Sequence, residues 1–143
     1  QAVVIGKGIL KSKLEKYINE NNLKKKVKLM NFVKNPYNLM RQADLFILSS
    51  KYEGLPNVLL EALVLKKFII SSDCPTGPRE ILLKGKGGLL FKTGDHKDLS
   101  KKIIYFLNNK KKCNKILKLA ITNLDRFNYK RNLEEYYSLV KSI

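Results

Sequence analysis

The chain has 143 residues, 44% of them apolar, enough for one packed domain but too few for two sheets that each carry their own core. Its 29 Lys and Arg against 12 Asp and Glu leave a net charge of +17, which points to an anionic partner such as nucleic acid, an acidic membrane or a phosphate. Two cysteines without metal spacing exclude a zinc cluster or a disulfide framework, and no uncharged apolar run approaches the ~18 residues of a membrane span. The cytosol is the expected compartment, with peripheral contact on the cytoplasmic membrane face as the most a membrane would offer. The lysines fall mostly at element ends among many Asn and Ile, so a bias of composition explains the surplus more simply than a designed surface.

In chain order, short β-like runs at 2–5, 27–30, 45–48, 68–71 and 88–91 alternate with helical periodicity at 11–21, 37–42, 57–65 and 78–82. This alternation predicts an α/β, Rossmann-like parallel sheet of about five strands with helices on both faces. After Asp95 the pattern turns to helices alone, around 97–109, 111–124 and 129–142, with Asp95 or Asp98 available as caps. Gly6-Lys7-Gly8 follows the first strand. It could cradle a phosphate, but position 11 is Lys11 where a dinucleotide fingerprint has its third glycine, and a tight turn is the simpler reading.

The third strand leads into the loop Ser49 to Pro56 and then a helix opening at Asn57, a preferred N-cap residue. A helix start thus points out of the carboxyl end of a strand, where ligands bind in an open parallel sheet and where free amides, here those of Asn57 and Val58, attract phosphate. Glu61, one turn inside the helix, can reach a ribose diol, and Glu53 on the loop can face a second hydroxyl-rich group. The plain alternative is a capping carboxylate and a solvated helical residue. Arg79 and Glu80 could reach a sugar or form an internal ion pair at a helix start, with structural duty the simpler role. Gly77 permits close backbone approach, and His96 sits in a polar loop as a surface residue.

The segment Tyr52-Glu53-Gly54-Leu55-Pro56-Asn57-Val58-Leu59-Leu60-Glu61-Ala62 resembles the E-x7-E signature of family-four retaining glycosyltransferases, enzymes of the GT-B fold. Asn31-Phe32-Val33-Lys34-Asn35-Pro36 upstream and Cys74-Pro75-Thr76-Gly77-Pro78-Arg79-Glu80-Ile81-Leu82 downstream are similar to the same family's C-terminal, donor-binding domain, and the likeness covers roughly residues 2–108. It implies one half of a GT-B fold, a single nucleotide-sugar-binding domain over residues 1–143. It also implies that this domain lacks its first strand and helix, which usually carry an Arg and a Lys for the diphosphate, and the whole N-terminal acceptor domain.

The same resemblance assigns Glu53, with the backbone of Gly54, Leu55 and Pro56, to the transferred sugar and Glu61 to the ribose. Asn57 and Val58 take the diphosphate, and the backbone at Val33 or Lys34 takes the nucleobase. No catalytic residue is assigned, no cofactor is expected, and without an Asp-x-Asp pair no metal site is expected either. The implied reaction moves a sugar with retention from a nucleotide-sugar, a UDP-sugar above all, to a bacterial surface-glycan or lipid-linked acceptor. The isolated 143 residues should bind donor weakly and be inactive, and an exposed sheet edge invites self-association. Lys66-Lys67 where the family has glycine and proline, and Lys7 where it often has an acid, depart from the pattern. The reading from another class is a non-catalytic basic module that binds nucleic acid or an anionic membrane, and a structural remnant is a further one. Aromatics near Arg126-Phe127-Asn128-Tyr129 fit helix packing better than base stacking, so nucleic acid is not an expected partner of the enzyme.

Overall fold

A computed structural model describes residues 1–142. They form two compact units, Gln1–Asn38 and the chain from Leu39 onward. The first holds β1 (Ala2–Ile5), α1 (Lys11–Glu20) and β2 (Val27–Met30). β1 and β2 pair in parallel, Ala2 opposite Val27 through Ile5 opposite Met30, a geometry that needs a crossover, here supplied by α1. α1 ends where Asn22 turns to φ 55° and Leu23 N–H reaches back to Ile18 C=O at 2.8 Å, which satisfies a terminal carbonyl. No residue of this unit is fully buried, and Val3, Val4 and Ile5 are all exposed although the strand is apolar.

The boundary between the units falls in sequence within α2 (Tyr37–Gln42). The second unit then contains β3 (Leu45–Leu48), α3 (Asn57–Val64), β4 (Phe68–Ser72), α4 (Pro78–Ile81), β5 (Leu89–Phe91), α5 (His96–Asn108), α6 (Lys110–Thr122) and α7 (Tyr129–Lys141). β4 lies between β3 and β5, parallel to both. All five of its residues are buried, which is why Phe68-Ile69-Ile70 reads as a continuous apolar run instead of an alternating one. Leu59, Ala62 and Leu63 of α3, Phe106 of α5, and Cys113, Leu117 and Ala120 of α6 build the core with β4. Phe106 stacks on Phe68 with ring centroids 5.2 Å apart. Each large aliphatic here contributes about 1.5–3 kcal/mol by burial. Cys74 and Cys113 are free and buried, and burial pushes the Cys113 thiol up.

The parallel strands flanked by helices are Rossmann-like, as the alternation predicts, but the five strands do not join into one sheet. They pair as β1-β2 and as β3-β4-β5. Strand and helix boundaries agree with the sequence to within a residue or two, and two 3-10 turns, Leu83–Gly85 and Leu124–Phe127, were not foreseen. The junction at Lys66 resolves as a helix stop. Lys66 adopts φ 57°, and the N–H groups of Lys66 and Lys67 donate to Leu63 and Ala62 carbonyls at 2.9 and 2.8 Å, the paired bonds that usually use glycine at the left-handed position.

Candidate functional site

The loop from β3 to α3 and the loop from β4 to α4 leave the carboxyl ends of adjacent parallel strands, Leu48 lying opposite Ser71. They are locked together by three contacts. Ser72 Oγ donates to Ser50 C=O at 2.6 Å, and Thr76 Oγ1 donates to Glu53 C=O at 2.5 Å. Gly77 sits at φ 65° with its Cα so close that an added Cβ would lie 2.0 Å from Gly54 O and 2.5 Å from Pro56 Cδ. Only glycine fits such a position, so the close approach read from Gly77 is real. The Thr76 brace was missed. Its partner is 23 residues away, and a threonine before Gly-Pro carries no local sign of a tertiary acceptor.

Asn57 does not cap α3, contrary to expectation. Pro56 is the N-cap residue, with φ −73° and ψ 96°, and no side chain bonds the helix start. The ring of buried Pro56 wedged against Gly77 fixes the extended entry, so Asn57 is already the first helical residue. The consequence favours anion binding, because the first-turn N–H groups of Asn57 and Val58 have no intrahelical acceptor, while that of Leu59 bonds Pro56 C=O at 2.9 Å. Glu53 and Glu61 are both half-buried. Among the described residues neither carboxylate enters an ion pair. Gly54, Leu55 and Asn57 are exposed between them.

Arg79 and Glu80 are not paired with each other. The Arg79 guanidinium makes two bonds to Asp73, at 2.6 and 2.5 Å, and this bonding, with the carboxylate's charge, holds Arg79 still more firmly protonated. The pair staples the start of the Asp73–Gly77 loop to α4. Glu80 contributes its backbone carbonyl, which accepts from Arg126 Nη2 at 2.5 Å. His96 is exposed on the first turn of α5. Among the described residues no group of three or more His, Cys, Asp or Glu side chains could hold a metal ion.

Val33 and Lys34 belong to the first unit, in the irregular segment after β2. Among the described residues their N–H and C=O groups enter no backbone hydrogen bond. Gly6, Lys7 and Gly8 line a cavity of about 190 Å³ within the same unit, where Lys11 Nζ donates to Asn31 Oδ1 at 2.7 Å. Neither glycine has a positive φ or a neighbour that a Cβ would meet. The structure therefore brings Glu53 through Glu61 together in the second unit and leaves Val33 and Lys34 in the first.

Parallel strands flanked by helices, with a loop-to-helix junction that carries two half-buried carboxylates outside any ion pair at the strands' carboxyl end, make one half of a GT-B fold. Residues 1–122 match the family Glycosyl transferases group 1, and the chain belongs to it. It is 48% identical over 80 residues to an uncharacterized glycosyltransferase of Methanocaldococcus jannaschii, MJ1059, covering 56% of this chain and 20% of that protein. It is 39% identical over 88 residues to the N-acetylgalactosamine-N,N'-diacetylbacillosaminyl-diphospho-undecaprenol 4-alpha-N-acetylgalactosaminyltransferase of Campylobacter jejuni, covering 62% of this chain and 24% of that one. The crystal structure of a Staphylococcus aureus TarM mutant in complex with Fondaparinux, alpha-GlcNAc-glycerol and UDP superposes with a TM-score of 0.84 at 25% identity, over 96% of this chain and 28% of that one. The chain spans 20% and 24% of the length of the two curated relatives.

Proposed function

We propose that this chain is the nucleotide-sugar-binding half of a family-four retaining glycosyltransferase, which moves a sugar from a UDP-sugar to a surface-glycan or lipid-linked acceptor held by a second half of the whole enzyme. The observation that carries the reading is the pair of half-buried, uncommitted carboxylates, Glu53 and Glu61, on either side of a helix start with free N–H groups. The UDP in the TarM complex supports the nucleotide, and the diphospho-undecaprenol in the name of the Campylobacter relative supports the acceptor class.

Transfer of this kind places negative charge on a departing diphosphate. The N–H groups of Asn57 and Val58, at the positive end of α3, stabilise charge that develops there. Glu61 accepts hydrogen bonds from the ribose hydroxyls, and Glu53 accepts from the transferred sugar, which the Gly54-Leu55-Pro56 backbone lines. Neither glutamate serves as a base, and the cation-free reading rests on the helix N-terminus taking the diphosphate charge.

Calorimetry with UDP and with a UDP-sugar separates the roles. Glu61→Gln should weaken both ligands by ~1–3 kcal/mol, as expected for hydrogen bonds to a charged group. Glu53→Gln should leave UDP unchanged and remove only the increment added by the sugar, and all affinities should persist in EDTA. Unchanged binding of both ligands in both variants overturns the assignment, and loss of binding in EDTA overturns the cation-free reading.

A further inference from the structure

The surplus of positive charge is not spread evenly. Residues 99–124 contain seven lysines and no aspartate or glutamate, and they make up most of α5 and all of α6. Helical periodicity sorts them. On α5, Lys97, Lys101 and Ile104 fall at spacings of four and three, and on α6, Lys111, Lys115 and Lys118 do the same, so each set forms one stripe. All six are exposed. The opposite faces are the buried ones, carrying Phe106, Cys113, Leu117 and Ala120. Among the described residues none of the five lysines in these stripes enters an ion pair. Beside them Ile104 and Leu107 stand 54% and 56% exposed.

We propose that the lysine-rich exposed faces of α5 and α6 are a docking surface for an anionic lipid bilayer. Exposed aliphatic side chains beside unpaired lysines match both parts of such a surface, since headgroup phosphates attract the ammonium groups while Ile104 and Leu107 enter the headgroup and acyl boundary. Nucleic acid fits less well. Single strands bind by stacking on aromatic rings, and here Phe106 is buried and Tyr105 half-buried. Lys110 and Lys112 lie over those rings at 6.0 and 5.9 Å. The segment also has no arginine for bidentate phosphate contact. The proposal does not rest on donor binding, because its readout needs no nucleotide.

Co-sedimentation of the full chain with vesicles of phosphatidylglycerol and phosphatidylcholine, and with phosphatidylcholine alone, tests it. The anionic vesicles should bind, and 0.5 M salt should weaken the binding. The triple variant Lys111→Gln, Lys115→Gln, Lys118→Gln should lose about tenfold to a hundredfold in partition. The variant Lys24→Gln, Lys25→Gln, Lys26→Gln removes the same charge from exposed positions of the first unit and should lose far less. Ile104→Ser with Leu107→Ser should weaken vesicle binding without changing any binding to a single-stranded oligonucleotide. Equal binding to both vesicle types, equal losses in the two lysine variants, or an oligonucleotide affinity above that for the anionic vesicles would each overturn the proposal.

Discussion

One methyl group decides whether the loop carrying Glu53 keeps its place. At Gly77 an alanine would have to hold φ 65° and put its Cβ 2.0 Å from a backbone oxygen of Gly54, and backbone cannot swing aside as a long side chain can. Gly77→Ala should therefore destabilise the protein by at least ~1–2 kcal/mol from the left-handed backbone alone. It should also weaken UDP-sugar binding by displacing Gly54 and Pro56. Urea unfolding and calorimetry check the two effects, and an alanine variant with wild-type stability and affinity would show that the loops are not locked. At this scale the sequence was partly legible. The spacing of Glu53 and Glu61 could be read locally, since it depends on neighbours in the chain, and Gly77 before Pro78 signalled a close approach without its partner, Gly54. Thr76 bonding Glu53 C=O and Pro56 displacing Asn57 as the cap could not, because each is decided where the two loops meet, and Arg79 choosing Asp73 over Glu80 could not, because the turn of the Asp73–Gly77 loop decides it.

Helix ends show the same division. Asp95 and Asp98 were equal candidates to cap α5, and the structure selects Asp95, whose Oδ1 accepts from Lys97 and Asp98 N–H, both at 3.0 Å. Asp98 instead accepts from Lys92 N–H at 2.9 Å, tying the segment after β5 to the helix. The bond from Asp98 N–H is the main cause that holds the Asp95 carboxyl below its ordinary range. A depressed folded-state value means that this stabilisation is complete above the unfolded carboxylate range and is lost as pH falls through the lower folded value. The melting temperature should thus fall on acidification below about pH 4. Asp95→Asn, which caps without titrating, should reduce that dependence. Identical acid profiles for the two proteins would remove Asp95 from the account. Asn128 caps α7 by accepting from Lys130 and Arg131 N–H groups, a role that the sequence hides because Phe127 and Tyr129 on either side of it also fit helix packing.

Over the whole molecule the two units differ in kind. β4 is buried along its full length, while no residue of the first unit is fully buried and β1 exposes its apolar side chains. Stability within a fold follows such contrasts, since segments with few buried contacts open locally at low cost. Hydrogen exchange should therefore find amides of β1 and β2 exchanging much faster than those of Ile69–Ser71, and equal protection would contradict it. Element types were legible along the chain because period-two and period-3.6 patterns are local. Sheet continuity was not, because pairing between distant strands leaves no mark in the periodicity of either.

The core placement of both sulfurs has a practical meaning as well. Cys74 is 1% and Cys113 0% exposed, and a thiol must be reached as thiolate to react, which the raised value at Cys113 further opposes. The folded surface is therefore blank to maleimide. A cysteine substituted for Tyr52, itself 82% exposed beside Glu53, would be the sole handle for a fluorophore, giving an optical reporter on the loop proposed to hold the sugar without first removing either native sulfur from the interior.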